Sequence, residues 1–329
     1  MSLRAFFRLF THTQLMPVLE NGEETLVGGQ AVMEGVMMRA PHSYCVAVRR
    51  QSGEIVTEQM PLPRLAETHP IFKYPVIRGV GTLFQAMKLG FKALRFSANV
   101  AMEDLEPAKA GAKKPSEMSS WAITANLIFS LAFFIFMYKF LPLYAVTALE
   151  KWYPALSGRI AFNVADGVIR MIIFLGFLFA ISQMKDIRRV FQYHGAEHKV
   201  VFNFESGQPV SVPNAQRFVT FHPRCGTSFL LVVMIVSMVV YTFIPFDSFV
   251  MKFVSRIVLL PVIAGLSYEM IRFAAKRRGS VLATLTAPGL WLQRITTKQP
   301  SDDQTAVAIH ALEGAMELEK QQGGVLVIA

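Results

Sequence analysis

The chain reads as a mainly α membrane protein: about four transmembrane helices, a small β-rich N-terminal cytoplasmic unit, and amphipathic helices. Three observations predict this. Hydrophobic residues make up 53% of the 329 residues and charged residues only 17%, against about a quarter charged in ordinary soluble domains, and the mean hydropathy is +0.38. The apolar residues gather in four runs, at about 121–141, 164–182, 228–246 and 255–273, each near the ~20 residues needed to cross a bilayer core of ~30 Å. Lys and Arg gather in alternate loops between those runs, as the positive-inside rule requires.

From the start, residues 1–24 form an N-terminal segment in which Met1–Phe10 carries Arg4 and Arg8 among Phe and Leu; the apolar run is too short for a signal peptide and reads as a surface helix. Residues 25–78 form the β-rich unit. Within it the Gly-punctuated stretch Leu26 to Arg39 predicts strand, turn and strand, and Tyr44–Arg50 and Glu54–Met60 flank Gln51-Ser52-Gly53 as a hairpin. Residues 79–105 predict a basic amphipathic helix, with Gln85, Lys88, Lys92, Arg95 and Asn99 on one face and Phe84, Met87, Phe91, Leu94 and Val100 around the rest. Its charges forbid a span but suit docking on an anionic leaflet or against the membrane helices. A linker rich in Pro, Gly and Lys fills 106–120.

Two transmembrane hairpins follow, 121–182 and 228–273, around a loop at 183–227. Lys109, Lys113 and Lys114 precede the first span, Lys185, Arg188 and Arg189 follow the second, and Lys276, Arg277 and Arg278 follow the fourth. The other two loops offer mainly Lys151, Arg159, Lys252 and Arg256. Both termini and the 183–227 loop are therefore placed in the cytoplasm. The net charge of +10 reflects the same rule, so no nucleic-acid partner is expected; membrane lipid is, with a membrane protein as a further candidate partner. Cys45 and Cys225, the two cysteines, fall on the reducing side and read as free thiols or ligands. Residues 274–329 close the chain as a cytoplasmic segment. In it Gly289-Leu290-Trp291-Leu292 reads as a Trp-anchored interfacial turn, and Ser301-Asp302-Asp303-Gln304 as a capping box opening a helix with Ile309, Leu312, Ala315 and Met316 on its apolar face.

The chemistry concentrates in the 183–227 loop. Tyr193-His194-Gly195-Ala196-Glu197-His198-Lys199 has the spacing H-x-x-E-H. Residues four apart on a helix are neighbours, so His194 and His198 could face one Zn²⁺ ion with Glu197 beside them as the base toward water. The bland reading is a polar helix end whose His and Glu satisfy backbone groups or phosphates, and Gly195 weakens the helix by about 1 kcal/mol relative to Ala. His222 and Cys225 add a second ligand pair in H-x-x-C spacing within Phe221-His222-Pro223-Arg224-Cys225-Gly226-Thr227. Together the four make a tetrahedral site reasonable. His42 and Cys45 share that spacing, but on a strand their side chains diverge. Glu34 and Glu269 are further candidates, Glu34 as a third ligand or acid/base group and Glu269 as an intramembrane acid near the motif; the alternatives are ion pairs with Arg39 and Arg272.

Gly28 to Arg39, Tyr193 to Lys199, His222 to Ser228, and Ala287-Pro288-Gly289-Leu290-Trp291-Leu292-Gln293 resemble the YqhQ-like family of bacterial multipass membrane proteins, over roughly residues 25–315. The resemblance implies location in a bacterial cell (inner) membrane and membership of a group described as predicted metal-dependent enzymes, with no substrate. It points to the same residues, His194, Glu197, His198, His222 and Cys225, and leaves Cys45 out. The expected function is thus a zinc-dependent enzyme with a cytoplasm-facing site, a hydrolase of a membrane-proximal substrate in which Glu197 is catalytic. The alternative is a non-catalytic assembly factor or scaffold with a structural metal site. A transporter would need more polar groups along the spans than Asn163, Asp166 and Glu269 provide.

Overall fold

A computed structural model describes residues 27–63, 65, 69–105, 120–222, 225–276 and 281–321. The N-terminal segment, most of the linker, and Pro223, Arg224, Arg277 and Arg278 lie outside the described residues.

Four strands, β1 (Gly28–Val32), β2 (Gly35–Arg39), β3 (Ser43–Arg49) and β4 (Ile55–Pro61), form an antiparallel meander in the order β1-β2-β3-β4. Both expected hairpins are present. Val32 pairs with Gly35 across the Met33–Glu34 turn, with Glu34 at φ 52°, and Arg49 pairs with Ile55 across a turn in which Gly53 takes φ 90°. Both faces of the sheet are buried. Val36, Met38, Cys45 and Ala47 point into one core, and Val32, Met37, Val46 and Val48 into another, as the two-residue period of a strand dictates.

The second core is closed by α1 (Ile77–Leu105) through Leu89, Ala93 and Val100. Phe84, Met87, Phe91 and Leu94 of the same helix remain exposed, so the amphipathic helix is present with its opposite face uncovered.

The first apolar run continues further than its sequence predicts. α2 (Ser120–Ile135) passes through a π-helical turn, Phe136–Phe140, into α3 (Leu141–Glu150). Pro142 lacks an N–H, and the widened turn just before it lets the helix run on. α4 (Arg159–Ser182) follows. Thr124–Glu150 and Arg159–Ser182, of 27 and 24 residues, are each long and apolar enough to cross a membrane.

The other two expected spans are less regular. After α5 (Lys185–Glu205) and the short α6 (Val212–Gln216) comes α7 (Gly226–Thr242), apolar but only 17 residues long, and the following chain leads into Pro245. α8 (Phe249–Val258) and α9 (Leu260–Lys276) form one broken apolar unit bent by 50°. The bend falls where Pro261 removes the N–H that would bond to Ile257. There are thus two helices of spanning length and composition among the described residues, or three counting the bent pair, in place of four uninterrupted ones.

α10 (Val281–Thr296) corrects another expectation. Gly289-Leu290-Trp291-Leu292 reads as an interfacial turn, but the helix continues through it. Gly289 is there for close approach, since a Cβ on it would come within 2.6 Å of Ser228 in α7. α11 (Asp302–Gln321) opens on the predicted capping box: Ser301 N–H donates to Gln304 Oε1 (2.9 Å) and Gln304 N–H to Ser301 Oγ (3.3 Å). Its apolar face, with Val307, Ala308, Ala311, Leu312 and Ala315, packs on the sheet and α5 in the first core.

Candidate metal centre

α5 carries the H-x-x-E-H segment in one continuous helix, and its second half is enclosed: all of Gly195 to Asn203 is buried. The sheet and α11 cover one side. On the other, the chain beyond α10 crosses so closely that Lys298 N–H donates to Phe191 O (2.9 Å). A Cβ at Gly195 would lie 2.1 Å from Lys298 O. The helix-weakening glycine therefore makes room for the strand of chain that orients His194.

Two backbone carbonyls set the histidines. His194 Nδ1 is 2.8 Å from Thr296 O, and His198 Nδ1 is bonded to Thr220 O. A carbonyl can only accept, so each Nδ1 carries the proton and each Nε2 is left with its lone pair. This is the second-shell arrangement usual around metal-bound histidine. Burial lowers the His198 pKa, with Cys225 acting in the opposite direction, which favours the neutral ring a metal requires.

The free nitrogens meet Cys225, at the N-terminus of α7. Its Sγ is 3.3 Å from His194 Nε2, and the ligand atoms of His194, His198 and Cys225 all lie within 4.8 Å of one another. Ligand atoms on a tetrahedral zinc, with Zn–N of ~2.0–2.1 Å and Zn–S of ~2.3 Å, are about 3.3–3.6 Å apart. A thiol–imidazole hydrogen bond would give a similar Sγ–Nε2 distance. The third ligand atom, on His198, lies within 4.8 Å of the other two. Glu197 sits beside it, Oε2 3.4 Å from His198 Nε2, its carbon stem packed over Gly29 of β1.

Of the four sequence-predicted ligands, three converge and His222 does not join them. Cys225 N–H donates to His222 O (3.3 Å), yet the two side chains part. His222 Nε2 lies 3.6 Å from Glu205 Oε2, and its ring rests against Phe202 at a centroid distance of 4.6 Å. Burial pushes its pKa down to about 4, against the opposing pull of Glu197.

Glu34 and Glu269 are also placed away from this group. Glu34 accepts from Arg189, with Nη2–Oε2 at 2.6 Å, and from Tyr193 OH at 3.3 Å. Its partner is on α5 and is not the expected Arg39, so the acid ties the β1–β2 turn to the histidine-bearing helix. Glu269 accepts from Arg78 Nε at 2.6 Å and from Val76 N–H at 3.4 Å; the expected partner was Arg272, and the actual one docks α1 onto α9. Glu269→Gln should therefore leave metal content unchanged while lowering stability by about 1 kcal/mol. Metal analysis beside thermal denaturation checks this, and a loss of metal would restore Glu269 as a ligand.

Gln293, fully buried, had no role in the sequence reading. It accepts from His222 N–H (2.7 Å) and donates to His222 O (2.7 Å) and Ser228 Oγ (3.2 Å), clamping the segment that delivers Cys225. The only signal for it was its place in the Ala287–Gln293 stretch.

Fold and cluster together define a mainly helical protein with apolar helices of spanning length and a His/Cys/Glu group enclosed beside them. The chain belongs to the family described as "Protein of unknown function (DUF1385)", whose profile matches residues 74–318. It is also 35% identical over 297 residues to "Uncharacterized protein YqhQ" of Bacillus subtilis (strain 168), covering 89% of this chain and 92% of that protein. The expected YqhQ-like membership holds. No solved structure matches the chain.

Proposed function

We propose that the protein is an integral membrane, zinc-dependent hydrolase whose site faces the cytoplasm and acts on a membrane-proximal substrate. The observation that carries this reading is the pair of imidazoles, each tied at Nδ1 to a backbone carbonyl and each presenting Nε2 toward Cys225. His194, His198 and Cys225 would hold the ion, and three protein ligands leave a position for substrate or water. Bound zinc supplies Lewis acidity and brings the pKa of water toward 7. Glu197, whose Oε2 lies 3.4 Å from His198 Nε2, would be the proton acceptor beside such an ion. The enclosure of the site by the sheet, α11 and the chain after α10 limits bulk water around that carboxylate.

The membrane part of the proposal rests on the apolar helices and the distribution of Lys and Arg around them. Reporters fused after Lys114, Ser206 and Lys298 should all report a cytoplasmic location; a signal from the opposite side at Ser206 would remove the cytoplasm-facing site.

The metal part is tested on full-length protein purified in detergent. About one zinc per chain is expected, and cobalt-substituted protein should show a thiolate-to-cobalt charge-transfer band that Cys225→Ser abolishes. Protein that holds no metal, or a band that survives Cys225→Ser, counts against the ligand set.

One observation favours a second reading, a non-catalytic assembly factor or scaffold with structural zinc. The cluster joins α5, the chain at Thr220 and Cys225, and the chain at Thr296, segments distant in sequence that a metal would pin together.

A further inference from the structure

A second polar site lies at the other end of the helices. α4 runs from Arg159 to Ser182, just before the histidine helix, and α7 runs from Gly226, next to Cys225, to Thr242. At ~1.5 Å per residue these helices are about 25–36 Å long, so their far ends are remote from the His/Cys cluster.

In that half Asp166 of α4 is completely buried between two arginines, Arg170 one turn on and Arg256 of α8, whose Nη1 is 2.6 Å from Asp166 Oδ1. Lys139, also buried, donates to Tyr241 OH (2.7 Å). All three cations lie 4.9–5.3 Å from the Tyr241 ring centroid. A guanidinium stays protonated in proteins, so the two arginines outnumber the one carboxylate whatever the state of Lys139. Buried charge without compensation is strongly disfavoured, and Arg170 Nε has no acceptor among the described residues.

A cavity of about 280 Å³ reaches this cluster through Arg256 and Tyr241. Arg256, Asn163 and Tyr241 form its buried floor; Arg159 and Lys252 line the rim together with two acids, Glu150 and Asp247. It is slightly smaller than the ~300–1,000 Å³ of sites for whole drug-sized ligands, which suits a headgroup. Trp152, Tyr153 and Phe243, in the connections at the same end, are exposed, as aromatic residues are at a membrane–water interface.

We infer that this cavity binds the headgroup of a zwitterionic phospholipid, with its phosphodiester anion toward Arg256, Lys252 and Arg159 and its ammonium toward Glu150 and Asp247. The anion answers the excess of buried cations. The rim acids oppose a dianion and favour a single negative charge followed by a positive one. The exposed aromatic residues favour a lipid over a free anion. This site is independent of the zinc reading and rests only on the helices lying in a bilayer, which the reporter fusions test separately.

The test is thermal denaturation of the full-length protein in detergent with added phosphatidylethanolamine, phosphatidylglycerol or inorganic phosphate. Phosphatidylethanolamine should raise the midpoint by at least ~2 °C, phosphatidylglycerol by less, and phosphate not at all. The increment should vanish in an Arg159→Ala/Lys252→Ala double variant, which leaves the buried cluster intact. Glu150→Gln with Asp247→Asn, which keeps side-chain shape, should cancel the preference between the two lipids. The inference is overturned by phosphate as effective as lipid, by phosphatidylglycerol equal to phosphatidylethanolamine in the unmodified protein, or by an increment that survives the double variant.

Discussion

Replacing His198 with Ala is expected to remove metal and activity together. His198 is 2% exposed, its Nδ1–H is spent on Thr220 O, and its ring supplies one of the three ligand atoms grouped among the described residues. Two ligands hold zinc far less tightly than three, so metal content should fall at least ~10-fold. Truncation also empties a buried ring volume and leaves the Thr220 carbonyl without its donor, which together cost about 2–4 kcal/mol. Metal analysis and denaturation of the same preparation separate these effects. His222→Ala serves as the comparison: because His222 lies outside the three-atom group, the variant should lose stability and keep most of its metal. If His222→Ala empties the site while His198→Ala does not, the assignment of ligands is wrong.

The contrast between these two histidines marks how far the sequence could be read. His194, His198 and Cys225 were legible because ligand chemistry is rare and the four-residue helical period is local. His222 was not, because a three-residue spacing predicts the tight turn but not where its side chains go once Gln293 clamps the backbone and Glu205 receives the ring. The two acids failed in the same way. Glu34 and Glu269 each have an arginine three to five residues on, and the local pairing is the natural inference from spacing; their actual partners, Arg189 and Arg78, are 155 and 191 residues away in the chain. Such pairs follow from the packing of α5 on the sheet and α1 on α9, which no local pattern encodes.

Elements were legible where turn and cap chemistry decides them. Gly53 set the second hairpin, and Ser301 with Gln304 set the start of α11. Prolines and glycines within the apolar segments were harder. Pro142 follows a π turn within one long helix, Pro261 sits where the α8–α9 pair bends by 50°, and Gly289, in the stretch expected to turn, marks helix contact.

Glu197→Gln is the change that separates catalysis from structure. The carboxylate is 5% exposed and packed over Gly29, so an amide of the same shape fits the space and keeps its hydrogen-bonding reach. It cannot accept a proton near neutral pH. If Glu197 is the general base, turnover should fall by about 10²–10⁴-fold while zinc content, the cobalt charge-transfer band and the denaturation midpoint stay near those of the unmodified protein. If the metal is structural, the same variant should be nearly silent in a complementation assay, whereas Cys225→Ala should lower stability sharply because metal-binding energy there is folding energy. The proximity of Glu197 Oε2 to His198 Nε2, 3.4 Å, allows a further outcome, that the acid is itself a ligand, in which case Glu197→Gln loses metal along with activity. A stable, metal-replete Glu197→Gln protein that complements fully would exclude the hydrolase, because among the described residues Glu197 is the carboxylate beside the His194–His198–Cys225 group.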